Sequence, residues 1–108
     1  MKKIILAFVL AASPVAASEP VTVTIESWGR SSPGWARLVV KAQNNTSTAY
    51  RMVFYRCTAF LKDKAIGTQL GIISNLRANG SGFDNMSIEV PQRADSASCA
   101  FERIAYSG

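Results

Sequence analysis

From residue 21 onward, apolar and polar residues alternate in short runs separated by turn-forming clusters. That period of two sends successive side chains to opposite faces of a β-strand. Residues 21–26 read VTVTIE; Val21, Val23 and Ile25 predict a buried face, and Thr22, Thr24 and Glu26 a solvated one. Residues 29–34 (GRSSPG) have the composition of a loop. Residues 35–43 predict a second strand, with Ala36, Leu38, Val40 and Ala42 on one side and Arg37, Val39, Lys41 and Gln43 on the other. A polar turn, 44–47 (NNTS), follows.

Residues 51–61 (RMVFYRCTAFL) form the longest predicted strand. Val53, Tyr55, Cys57, Ala59 and Leu61 share one face, and Met52, Phe54, Arg56, Thr58 and Phe60 the other. Bulk on both faces predicts a central position. A charged turn at 62–64 leads to a weaker strand at 65–73, interrupted by Gly67 and Gly71. After a turn-rich connection at 74–82, residues 83–90 predict a strand with Met86, Ile88 and Val90 inward. Residues 91–95 predict a loop, and 97–106 a last strand with Cys99, Phe101 and Ala105 on one side. No segment sustains the spacing of three and four that a helix requires. The expected fold is therefore all-β: a small antiparallel, Ig-like β-sandwich of six to seven strands, with a small β-barrel as the alternative.

The first eighteen residues follow a different rule. Met1-Lys2-Lys3 is a basic start, residues 4–12 (IILAFVLAA) are an unbroken apolar run, Ser13-Pro14 breaks it, and Val15, Ala16, Ala17 and Ser18 are mostly small. This is the layout of a secretory signal peptide over residues 1–17, with cleavage after Ala17 or Ser18. The run is shorter than the roughly twenty residues that span a bilayer, so an uncleaved anchor is the lesser alternative. The short basic and apolar regions look bacterial, and the expected location is periplasmic or secreted. Loss of Lys2 and Lys3 takes the basic residues from 12 to 10 against 7 acidic ones, and the net charge from +5 to +3. No polybasic run remains in the single domain expected over 18–108. Nucleic-acid binding is not expected, nor is a stable membrane anchor after cleavage.

Export also changes the meaning of the two cysteines. Cys57 and Cys99 are an even pair in an oxidising compartment and lack the close C-x-x-C spacing of redox pairs, so a structural disulfide is expected. The pattern leaves open whether it bridges the two sheets or staples neighbours within one. The oligomeric state is equally open.

Between residues 40 and 83 a strand ends in the Asn-rich turn Asn44-Asn45-Thr46. A long strand then closes on Phe60-Leu61-Lys62-Asp63, and Leu76, a Gly-containing turn (77–80) and a strand led by Phe83 follow. This order resembles the FxLYD-type domains of bacterial secreted and surface proteins. The chain departs from that pattern in lacking a Tyr before Asp63 and in placing the following small residue at Gly67. The resemblance implies an Ig-like sandwich with no assigned chemistry.

The chemistry-bearing residues are few. There is no histidine, which removes the commonest general base and metal ligand. The acids Glu19, Glu26, Asp63, Asp84, Glu89, Asp95 and Glu102 read mostly as solvated surface, and no phosphate cradle or calcium loop is present. No catalytic residue, metal site or cofactor is expected. Sequons at Asn44, Asn45, Asn79 and Asn85 read as chance occurrences in polar turns. One cluster points to binding. Trp28 and Trp35 flank the 29–34 loop, and strict alternation puts both on the solvent face beside Arg30 and Arg37. In a hairpin the indoles would be cross-strand neighbours, a patch for a protein or a glycan. The competing reading is a β-bulge that turns the rings inward. The expected function is a non-enzymatic macromolecular binding module. One alternative is an inhibitor of an extracellular or periplasmic enzyme acting through the Trp28–Trp35 loop. The other is a structural envelope protein without a specific ligand.

Overall fold

The structure, a computed structural model, describes residues 19–32 and 34–105, and for Arg30, Ser31 and Ser32 the backbone alone. The expected signal peptide and its cleavage positions lie outside the described residues. Six strands follow in order: β1 (Val21–Ser32), β2 (Trp35–Asn44), β3 (Tyr50–Leu61), β4 (Lys64–Leu76), β5 (Ser81–Glu89) and β6 (Ser96–Ala105). They form two antiparallel three-stranded sheets, ordered β1-β2-β5 and β4-β3-β6, packed face to face as an open sandwich. Among the described residues there is no helix, and the sheets do not close into a barrel.

The core is the set of alternate positions that the sequence pattern marks. Val21, Ala36, Leu38, Val40 and Ala42 of one sheet meet Val53, Tyr55, Cys57, Ala59 and Ile73 of the other, all buried. Each large aliphatic side chain so placed contributes about 2 kcal/mol by leaving water. β3 is central in its sheet, as its length and bulk imply.

Three features differ from the pattern reading. β1 does not stop before a loop at 29–34. It continues to Ser32, which pairs with Trp35, so two residues make the connection, and Gly34 takes φ +92° there. β4 runs through Gly67 and Gly71 rather than breaking at them. A side chain at either glycine would clash: with the Glu89 carbonyl and Ile88 of the opposite sheet at Gly67, and with the ring of Tyr55, its cross-strand partner on β3, at Gly71. Finally, β6 carries a bulge at Glu102. Phe101 lies opposite Tyr55, and Arg103 opposite Phe54. The extra residue reverses the alternation, so Ile104, not Ala105, shares the core-facing position opposite Val53.

The disulfide joins Cys57 and Cys99, which face each other directly on β3 and β6 with Cα atoms 4.0 Å apart. It is a staple between neighbouring strands of one sheet. The cysteines are separated by 42 positions, and in the chain-entropy account closing such a loop is worth about 4 kcal/mol.

A buried asparagine organises one end of the sandwich. Asn44 closes β2 with no exposed surface. Its amide nitrogen donates to the carbonyls of Thr48 (2.9 Å) and Arg77 (3.0 Å), and its side-chain oxygen accepts from the Thr46 backbone N–H (2.9 Å). One side chain thus fastens both connections that cross between the sheets at this end, and a buried amide needs such partners.

Candidate functional site

The outward positions of β1-β2-β5 form rows set by strand register. Thr24, Lys41 and Phe83 make one row, Ser27, Val39 and Asn85 the next, Gly29, Arg37 and Ser87 a third, and Trp35 and Glu89 the last. Phe83 is 61% exposed and Trp35 43%, the two aromatic rings among the exposed large hydrophobics. The six positions from Trp35 to Lys41 separate these rings by about 20 Å along the strand direction. Between them the surface dips into a depression of about 260 Å³, lined by Ser27, Gly29, Arg37, Val39, Asn85 and Ser87 among others. Small side chains around Val39 create the dip. Arg37 and Asn85 bring hydrogen-bonding groups to its wall.

The four residues singled out in the sequence do not form one patch. Ile25 pairs with Val40 and Ser27 with Val39, which leaves Glu26 as an inserted residue. Beyond it the alternation reverses. Trp28 falls opposite Leu38, which is 2% exposed, and packs against the core. The expectation of two solvent-side indoles is therefore corrected: the bulge turns Trp28 inward and leaves Trp35 outward. Arg37 shares the outer face with Trp35. The side chain of Arg30 lies outside the described residues.

Phe83 is the member of this face that no sequence motif marks. Its parity with Met86, Ile88 and Val90 was the available signal, because an odd position on that strand points outward. The outer face of β4-β3-β6 differs. Its Phe54 ring lies beneath the Arg103 guanidinium, 4.0 Å from the ring centroid, and Arg56 pairs with Glu102 at 3.4 Å. Ile72 is the large hydrophobic exposed there, at 44%.

One titratable pair crosses the interior. Asp84 alternates with Met86 and Ile88 and so faces inward from β5, half-buried. The buried Tyr55 of the opposite sheet donates its hydroxyl to Asp84 Oδ2 at 2.6 Å. Burial, the hydrogen bond and the carboxylate charge all push the phenol pKa upward, in that order of size. The pair holds a proton on the phenol and ties the sheets together. Among the described residues no three His, Cys, Asp or Glu side chains converge as metal ligands would. No helix among them is long and apolar enough to cross a membrane.

No family model, curated protein or solved structure matches the chain.

Proposed function

We propose that this protein is an exported, Ig-like, non-enzymatic binding module that engages a protein or glycan partner through the outer face of β1-β2-β5. The observation that carries this reading is the arrangement of Trp35 and Phe83. They stand exposed on one sheet face at either side of a depression walled by Arg37 and Asn85. Exposed aromatic rings beside an arginine are the residue types that dominate binding energy at interfaces. Antiparallel sheets commonly keep one face in water, and there polar residues are the ordinary choice. The Cys57–Cys99 disulfide is compatible with an oxidising extracytoplasmic compartment, in line with the signal-like N-terminus.

The experiment is a quantitative comparison of partners recovered from native envelope extract by the mature domain and by its Trp35→Ser/Phe83→Ser variant, with Ile72→Ser as the control on the opposite face. The reading requires a partner retained by the wild type and the control and lost with the double variant. Equal recovery by all three proteins would refute it.

A further inference from the structure

The two sides of the sandwich are closed by different means. On one side the edge strands β4 and β5 meet. Gly67 and Gly82 let the two strands approach, Gly71 leaves room for the Tyr55 ring, and Ile73, Leu76, Met86 and Ile88 are buried. Where inward positions reach the surface along the middle of this seam they are polar, Gln69 and Asp84; half-buried Ile66, at a bulge near the start of β4, is the apolar exception. The opposite side, between β1 and β6, is unlike it. Ile25 and Trp28 of β1 and Ala97, Cys99 and Phe101 of β6 all face the core yet are only partly buried. Val21 and Val23 at the start of β1 are buried, so the open strip runs from Ile25 and Trp28 across to β6, and a core that leaves such apolar surface is short of a covering element.

The backbone edges on that side also differ. β1 carries the Glu26 bulge in mid-strand and follows Pro20, and both features obstruct edge pairing. Residues 96–101 of β6 contain no charge, no proline and no bulge. The 4.0 Å Cα separation of Cys57 and Cys99 marks a non-hydrogen-bonded pair. The N–H and C=O of Cys99 therefore point away from β3, and by alternation so do those of Ala97 and Phe101.

We infer that the edge of β6 at residues 96–101 is an acceptor for an extended strand of a partner protein. The incoming strand pairs with the outward backbone groups of Ala97, Cys99 and Phe101 as a fourth strand of that sheet. Its alternate side chains are large and apolar, and they cover Ile25, Trp28 and Phe101. This is strand addition with pockets for every second residue. A second copy of the chain offers a poorer occupant, because its own β6 would present the small Ala97 and Cys99 at the centre of the contact. The acceptor edge and the Trp35–Phe83 face are different surfaces, and either can bind without the other.

The test uses the oxidised mature domain, labelled with ¹⁵N, and the synthetic peptide Lys-Thr-Val-Thr-Ile-Thr-Val-Lys, with a control peptide bearing Pro at the Ile position. Binding of the first peptide should shift the resonances of residues 96–101 and slow hydrogen exchange at the Ala97, Cys99 and Phe101 amides about tenfold or more. The proline peptide should do neither. Ala97→Pro removes an outward donor and leaves the β3 ladder intact, so it should fold and lose the effect. Ser98→Lys/Ala100→Lys, which adds charge to the edge, should do the same if the proline variant does not fold. Unchanged exchange at saturating peptide, equal effects of both peptides, or shifts confined to the outer face of β1-β2-β5 would overturn the inference. A dimer in sedimentation with those amides already protected would overturn it in favour of a second copy.

Discussion

Trp28 stands directly across from Leu38 and packs on the core, seven positions before Trp35, which faces solvent. The Glu26 bulge separates their fates. Trp28→Ala should therefore lower the unfolding free energy by about 3 kcal/mol, the usual cost of a large core truncation. Trp35→Ala should change it by less than about 0.5 kcal/mol. Urea denaturation of the two variants checks this directly, and equal effects would contradict the placement of the rings.

Tyr55 and Asp84 make a pH-dependent brace. An unfolded tyrosine ionises near pH 10, whereas burial and Asp84 keep the folded phenol protonated to higher pH. A raised folded pKa contributes stability that is complete below pH 10 and is lost as the pH climbs beyond it. The slope approaches about 1.4 kcal/mol per pH unit for one proton. Tyr55→Phe should lower stability by about 1–2 kcal/mol at pH 8. It should also flatten the alkaline decline seen in urea midpoints between pH 9 and pH 11. An unaltered alkaline slope in the variant would count against the brace.

Asn44→Ala should cost about 3 kcal/mol, because it strands the carbonyls of Thr48 and Arg77 and the N–H of Thr46 at a closed end of the sandwich. Asn85→Ala, at an exposed outward position, should cost less than about 0.5 kcal/mol. Thermal denaturation of the pair provides the comparison.

Much of the fold was legible because burial follows parity. Ala36, Leu38, Val40, Val53, Tyr55, Cys57, Met86 and Ile88 all lie on the faces that alternation assigns. Parity fails where a residue is inserted, and nothing in the local sequence at Glu26 or Glu102 announces an insertion. Each bulge reverses the positions just beyond it, which misplaced Trp28 and Ala105. The glycines of β4 read as breaks because their reasons lie on other strands: the Tyr55 ring, directly opposite Gly71 on β3, and the Glu89 carbonyl across the sandwich. The cysteine count predicted a bond, but only register could put Cys57 opposite Cys99. The proposed binding face was half visible: Trp35 and Arg37 stood out beside the 29–34 loop, while Phe83 lay on a strand read for its core positions alone.

The binding face is tested most directly by site-specific photocrosslinking in the native envelope, with the crosslinking residue placed at position 85 in the depression or at position 58 on the outer face of the other sheet. The proposal predicts a discrete adduct from position 85 that disappears in the Trp35→Ser/Phe83→Ser background, and none from position 58. An adduct from position 58 alone, or one from position 85 that survives loss of both aromatic rings, would contradict it.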